Sequence, residues 1–481
     1  MIKKIILNIF ILGVLFYSSN SVGQDKKWTL EECVNHAVQN NILIKNSELD
    51  TELAAIEKKG AIGNFLPSVN ANASHSWNIG LNQNITTGLL QNQTTQFTSA
   101  GLNVGVDIYN GLQNQHRLRR ANISKIASQY QLLKMKEDIA LNVANAFLQI
   151  LFNKENLKVQ KEQLLQNQNQ MKRSNELLAS GVIPKGDLLD VKATVAADEQ
   201  RVVMAENSLL ISKLSLAQLL QVEEFENFDI ADKDYSVTKN PILMQSVNAI
   251  LEKAKENRTE LKIAKANLDI AEKDLQIAKA SYQPSLQGFY SFSTRASNSD
   301  RVTGIALDAF NPTNIIGVVE GTNQNVVQPN FNPVLGSSLP VLDQFENNKG
   351  QNFGIQLSVP IFNGFTVRNN VQRSKVNLEK LKNAYTQEEL TLERNVYTAF
   401  TDANGALKSY RATLETLEAR LESFNYAKER YEVGMMNIFD FNQSQTLLTN
   451  SQSEVLRAKY DYIFKIKILE FYFGISIIQK L

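Results

Sequence analysis

The sequence predicts a mainly helical chain built as a tandem duplication, with two pairs of amphipathic β-strands suited to a membrane barrel. Three observations carry this. A run of roughly 70 residues, Leu112 to Ser180, lacks glycine and proline, and its apolar residues, like those of its counterpart in the second half, recur at spacings of three and four. Four shorter segments alternate apolar and polar residues. The same elements then recur in the same order, at an offset that changes once.

The first residues stand apart from the fold. Lys3 and Lys4 precede an apolar run, Ile5 to Tyr17, and Ser21-Val22-Gly23 offers small residues for a peptidase. That is the layout of a secretory signal over 1–23, and the run is too short to span a bilayer. The mature chain is therefore expected to be exported. Its one cysteine, Cys33, lies too far along for a lipid anchor and excludes an intramolecular disulfide or a cysteine metal cluster. Three scattered histidines, His36, His75 and His116, suit no metal site, and no cofactor is expected. A net charge of +1 offers no nucleic-acid footprint. Beyond the signal no apolar run reaches the ~18 residues of a membrane helix, which leaves a β-barrel or a peripheral attachment.

The repeat is read directly. Ile108-Tyr109-Asn110-Gly111 matches Ile361-Phe362-Asn363-Gly364 at an offset of 253, and Gly181 and Asp187 match Gly434 and Asp440 at the same offset. Upstream, Leu66-Pro67-Ser68 pairs with Gln283-Pro284-Ser285, and Asn40 with Asn257, at an offset of 217. One insertion of 36 residues between the proline and the Asn-Gly accounts for the difference. The expected division is a first repeat over 24–228, a linker over 229–240, a second repeat over 241–474 and a tail over 475–481.

Each half is expected to hold a very long αα-hairpin. Leu112 to Ser180 would extend about 100 Å as a helix at ~1.5 Å per residue. Its apolar residues Leu132, Met135, Ile139, Val143, Ala146 and Ile150 form a coiled-coil seam, repeated by Leu392, Val396, Ala399 and Ala403. After turns at Gly181 and Gly434, returning helices are expected near 187–222 and 437–473. A helix of 30–40 residues, Thr29 to Lys59 or Ile242 to Ser281, precedes each proline.

Between proline and Asn-Gly the period changes to two. Val69, Ala71, Ala73, Trp77 and Ile79 alternate with polar residues, as do Ala100 to Ile108, Leu286 to Phe292 and Phe353 to Ile361. These read as four membrane strands, with outward connectors near 80–96 and 296–350; the insertion falls in the second. Four strands cannot close a barrel, whose known minimum is about eight. The chain must pool strands with copies of itself. Two copies would give a packed barrel of eight, three a barrel of twelve with room for solute, and a conducting role favours three.

The element order, helix, strand, strand, long helix, tip, helix, repeated twice, resembles the TolC family of outer-membrane efflux proteins. So do Trp28-Thr29-Leu30-Glu31-Glu32 with Asn40-Asn41, Phe65-Leu66-Pro67, the Asn-Gly junctions and the tips around Gly181 and Gly434. The resemblance covers nearly the whole mature chain. It implies a homotrimer whose α-barrel is continuous with a twelve-stranded β-barrel in the outer membrane of a Gram-negative bacterium. The trimer would pass substrates from an inner-membrane pump of the RND, ABC or MFS type, through a periplasmic adaptor, without any catalysis of its own.

The resemblance also nominates residues. Asp187 and Asp440 match acidic positions that line the closed periplasmic aperture, where three copies would concentrate negative charge. The same placement suits a first-turn aspartate stabilising a helix N-terminus. Tyr431 matches a tyrosine that links neighbouring hairpins, and a buried seam tyrosine is the plainer alternative. Met436 and Gln443 stand where the family carries an arginine and a second aspartate, so closure is expected to rest more on packing; Asp190, in the first half, is the candidate to replace the second charge. Gly181, Val182, Gly434 and Met435 match the turns that meet the adaptor. A pore-less periplasmic coiled-coil adaptor is the rival reading, set against by two hairpins and four amphipathic strands. An outer-membrane enzyme would need a convergent catalytic set, and none is visible.

Overall fold

The computed structural model describes residues 27–83, 88–223, 225–232, 237 and 240–475. The expected signal at 1–23, part of the 229–240 linker and all of the tail beyond residue 475 lie outside the described residues.

In chain order the elements are α1 (Leu30–Asn40), α2 (Ile42–Gly63), β1 (Ser68–Gln83), β2 (Leu90–Asn110), α3 (Gln113–Ala179) and α4 (Lys185–Leu220). A 3-10 turn (Pro241–Met244) then leads to α5 (Val247–Asn257), α6 (Thr259–Ala280), β3 (Ser285–Ser297), β4 (Arg301–Leu307), β5 (Thr313–Val318), β6 (Asn325–Pro329) and β7 (Phe331–Gly336). The chain ends with α7 (Val341–Asn347), β8 (Gly350–Ser358), α8 (Thr366–Glu432) and α9 (Ile438–Phe473). Corresponding helices of the two halves have equal lengths: 11 residues for α1 and α5, 22 for α2 and α6, 67 for α3 and α8, and 36 for α4 and α9. None of these helices is long and apolar enough to cross a membrane.

The residues fall into two compact units, each described by itself. The first gathers 27–55, 123–270 and 378–475. Its helices begin and end where local chemistry directs. Thr29 and Glu32 close a capping box at the start of α1, each side chain accepting from the other residue's backbone N–H. The single long helices expected before each proline are broken, at Asn41 and Arg258, where ψ turns to 129° and 127°. Neither glycine nor proline marks the break. Asn41 instead receives the N–H of Leu43 on its side-chain oxygen and donates its amide to the Leu219 carbonyl. Arg258, at the matching position, aims its guanidinium at Glu260 and Glu137.

The seam residues pack as their spacing requires. Ile139, Val143 and Ile150 are buried with Ile44, Phe147, Leu216 and Ile230 in one core, with Leu132, Met135 and Ala146 against its margin. Leu392, Val396, Ala399 and Ala403 form the second core with Ile250, Ala254 and Leu469. Trp28 bridges Ile230 in parallel and sets its ring at a tilt beside Phe228. Cys33 is wholly buried, and burial pushes its thiol up to about 12, which leaves it an unreactive small apolar side chain.

The second unit gathers 56–122 and 271–377 and contains a four-stranded antiparallel sheet ordered β1-β2-β3-β8. Register places Val69, Ala71, Trp77 and Ile79 on the same face as Leu102, Val104, Tyr290, Phe292, Phe353 and Ile355. The outer strands hold this face open: Ile79 is 81% exposed and Phe353 77%. Such a face belongs against lipid. His75 also lies on it, bonded to Thr98 and edge-on to Trp77.

Two connectors differ from expectation. The first is shorter than 80–96, because the β1–β2 ladder continues through polar residues as far as Gln83↔Leu90, helped by the Asn82 amide on the Gln93 carbonyl. The second, expected as loop 296–350, is ordered into strands β4 to β7 and helix α7. Strand β8 stops at Ser358, because Pro360 has no N–H to continue a ladder.

At the strand-to-helix junctions the Asn-Gly pairs take two consecutive left-handed residues, Gly111-Leu112 and Gly364-Phe365. A Cβ on Gly111 would overlap the Ala280 carbonyl oxygen, whereas one on Gly364 would meet open space.

Candidate functional site at the hairpin tips

The two tips are built alike. In the first, the N–H of Gly181 bonds the Leu178 carbonyl at 3.0 Å and that of Val182 the Leu177 carbonyl at 2.9 Å. In the second, Gly434 bonds Tyr431 at 3.1 Å and Met435 bonds Arg430 at 2.8 Å. Each is a Schellman motif with glycine at the left-handed position, φ +73° and +79°. Nothing lies within 4 Å of a Cβ at either glycine, so the requirement is conformational and not one of space. Val182 and Met435, the next residues, hold their apolar side chains in the open at 66% and 70% exposure. Val433, Phe439 and Leu189 beside them are exposed as well.

The returning helices start differently. Asn437 caps α9 by accepting the Asp440 N–H at 2.8 Å, and its amide donates to the Asp440 carboxylate at 2.9 Å. Asp440 therefore has a helix-start role in addition to any other. Helix α4 is preceded by Pro184, which supplies no side-chain cap, and Asp187 is the acid of its first turn. Asp190 and Gln443 are exposed one turn further along each helix.

Tyr431 and Met436 are drawn into one apolar cluster with Val191, Ile438, Phe441, Met171 and Phe424. It joins both hairpins. The Tyr431 ring stacks on Phe441 at 4.6 Å, nearly parallel, and its hydroxyl accepts from the Gln170 amide at 2.8 Å. Burial raises the Tyr431 phenol above its ordinary range; Arg173 opposes the shift and Asp187 adds to it. Of the nominated residues the structure thus gathers Tyr431 and Met436, with Asp187 near enough to act on the phenol, and leaves Asp190, Asp440 and Gln443 on exposed surface.

Sequence reasoning missed what holds the hairpins together behind the tips. A ladder of amides links α3 to α9: Gln160 to Ser453 at 3.3 Å, Gln163 to Thr449 at 2.6 Å and Gln166 to Gln445 at 3.3 Å. The signal was present, because these glutamines recur every three residues where a leucine seam would otherwise run. It also missed Asp198, only 1% exposed, which accepts from Asn167 and Arg201 within the first hairpin.

A family described as outer membrane efflux proteins matches residues 33–221 and 250–465. The chain belongs to the outer membrane efflux protein family. The matched segments take in the first hairpin, the second as far as residue 465, both tips and all eight strands. The outer membrane protein TolC of Vibrio cholerae is 21% identical over 96% of this chain and 94% of its own length. TolC of Escherichia coli is 22% identical over 96% of this chain and 84% of its own. The crystal structure of the Campylobacter jejuni CmeC outer membrane channel superposes with a TM-score of 0.74 at 17% identity, covering 92% of this chain and 85% of that one. As a member of the efflux protein family the chain is an outer-membrane exit duct with a large periplasmic part, a passive conduit and not an enzyme. The family match disfavours the pore-less adaptor reading.

Proposed function

We propose that three copies of this chain pool their strands into a twelve-stranded barrel and their hairpins into one periplasmic tube. The tube is fed by an inner-membrane pump of the RND, ABC or MFS type through a periplasmic adaptor. The observation that supports this is the sheet: four strands, an exposed apolar face, and two open edges, β1 and β8. An open edge in hydrocarbon leaves backbone donors and acceptors unpaired at several kcal/mol each, which only closure with further copies relieves. Outer-membrane lipid then covers the apolar face.

In this reading Asp187, Asp190 and Asp440 set the charge of the periplasmic aperture, Tyr431 and Met436 hold it shut by packing, and the exposed Gln443 faces the aperture without a charge. Gly181, Val182, Gly434 and Met435 meet the adaptor, and the exposed Val182 and Met435 side chains supply apolar contact. The division into signal (1–23), first repeat (24–228), linker (229–240), second repeat (241–474) and tail (475–481) is part of the same proposal. Sequencing the mature N-terminus checks its first boundary.

The test is migration as a heat-dissociable trimer, together with conductance in planar bilayers. Asp187→Ala and Asp440→Ala are expected to weaken block by multivalent cations. Unchanged conductance and unchanged block in both would remove the aperture role. A purified protein that stays monomeric and non-conducting would remove the duct reading itself. Val182→Asp and Met435→Asp are expected to abolish efflux while the trimer still forms; loss of the trimer would assign these turns to folding.

A further inference from the structure

The insertion that separates the two halves is 36 residues long, and the segment from Arg301 to Gly336 has that length. It is one two-stranded β-ribbon. Strands β4 and β7 pair at its base, β5 and β6 at its far end. A polar joint connects them: Asp308 accepts the N–H groups of Phe310 and Asn311, and Asn330 donates to Asp308 and to the Asn311 carbonyl.

Register decides what the ribbon shows. Val302 pairs with Leu335, Ile305 with Pro333 and Leu307 with Phe331, and the bulge between Val302 and Gly304 keeps all six on one face. Every one is apolar. Ile305 is 71% exposed, Leu307 57% and Phe331 51%, so no other described residue covers this face. The opposite face carries Arg301, Gly304, Ala306, Asn332 and Val334. An isolated two-stranded ribbon is marginal in water, and an apolar face of this kind marks a site of association.

We propose that this face packs against the ribbons of neighbouring copies in the same assembly, as a self-association element on the outer side of the membrane strands. The inference rests on the oligomeric barrel proposed above. Three observations select a second copy over other occupants. First, the ribbon is inserted between β3 and β8, and β8 is an open edge that a neighbouring copy must complete. Barrel closure would hold the ribbons at high effective concentration, where a modest patch suffices. Second, the ribbon carries only three charged residues, Arg301, Asp308 and Glu320, and no lysine. It lacks the charges by which exposed strands resist pairing with copies of themselves. Third, it contains no tryptophan or tyrosine, the residues that seat a segment at a membrane surface.

The test uses single cysteines in the full-length protein; native Cys33 is buried and unreactive and does not interfere. Leu307→Cys and Phe331→Cys are expected to give disulfide-linked dimers within the trimer on mild oxidation, and Asn332→Cys, on the other face, none. Replacing Arg301–Gly336 with a short turn is expected to leave the trimer intact but lower the temperature at which it dissociates. Two results overturn the proposal. One is a trimer without cross-links in which a bimane label on Phe331→Cys is quenched by brominated lipid, which assigns the face to the membrane. The other is a trimer without cross-links whose label is water-exposed, with an unchanged dissociation temperature. Absence of any trimer in the unaltered protein would instead refute the barrel reading on which this rests.

Discussion

Arg258 is the residue whose replacement should be felt most widely in the helical unit. It is 3% exposed and sits in the break between α5 and α6, bonded to Glu260 at 2.8 and 3.0 Å and to Glu137 of α3 at 3.4 Å. Its guanidinium lies 3.8 Å over the Phe471 ring at the end of α9. One cation thus joins three helices. Breaking a buried ion pair costs about 3–5 kcal/mol when the stranded charge cannot reach water. Here the two glutamates are 25% and 28% exposed, so they rehydrate in part and the electrostatic loss falls to about 2 kcal/mol. Loss of the partly desolvated cation–π contact adds about 1 kcal/mol. Arg258→Leu should therefore open the break by about 3 kcal/mol, roughly a hundredfold in local equilibrium at 1.36 kcal/mol per decade. Amide hydrogen exchange reads this directly, because a local opening accelerates exchange at the N–H groups it exposes. The expected result is about hundredfold faster exchange over residues 254–262, and Arg258→Lys should fall between the two because it lacks the fork. Acceleration of less than tenfold in Arg258→Leu would refute the reasoning and reduce Arg258 to a packed side chain.

Three further outcomes follow from local geometry. Gly111→Ala meets both a positive φ and the Ala280 carbonyl, so it should cost at least 2 kcal/mol or so and deplete assembled protein in outer-membrane fractions; Gly364→Ala, with open space around it, should cost about 1 kcal/mol and assemble. Tyr431→Phe keeps the stack on Phe441 but loses the Gln170 bond, worth about 1 kcal/mol, and should raise bilayer conductance without altering the trimer. Asp232 and Asp229 are held below the usual carboxylate range, Asp232 chiefly by its bond to Lys154, and Asp229 by Lys154 and Lys213 against an opposing burial effect. Depressed carboxyl groups stabilise the fold above their unfolded pKa of about 3.9 and lose that contribution as pH falls through the folded value, so thermal stability should decline on acidification below about pH 4, and less so in Lys154→Met.

How much of this was legible in the sequence depends on where each instruction resides. The long helices announce themselves, because no breaker stands between Leu112 and Ser180, only Gly405 interrupts the matching run, and Gly181, Gly434 and the Asn-Gly pairs punctuate their ends. The membrane strands are equally plain where apolar residues alternate. The breaks at Asn41 and Arg258 were not legible, because no local breaker makes them; they are held by partners more than a hundred residues away, Leu219 and Glu137. Asp198 lies in Ala-Ala-Asp-Glu-Gln-Arg, a stretch that reads as a solvated helix face until Asn167 is placed over it. The ribbon was hidden because its bulges at Val302/Gly304 and Ile315/Gly317 interrupt the period of two. At the candidate aperture the residue types pointed to the tips, but only tertiary packing separates Tyr431 and Met436, which lie in one cluster, from Asp190 and Gln443, which do not.

The amide ladder between α3 and α9 bears on how such a structure moves. Parting two helices joined by leucines exposes hydrocarbon, and the resistance grows with every turn separated. Parting Gln160, Gln163 and Gln166 from Ser453, Thr449 and Gln445 exposes groups that water satisfies almost as well. Solvent thus acts as a lubricant along the ladder, and the mechanical stiffness is concentrated in the aromatic latch of Tyr431, Phe441 and Phe424. A pull applied at the tips has to spring that latch before the ladder behind it can part, and the core around Tyr460 and Ile463 then anchors the far end.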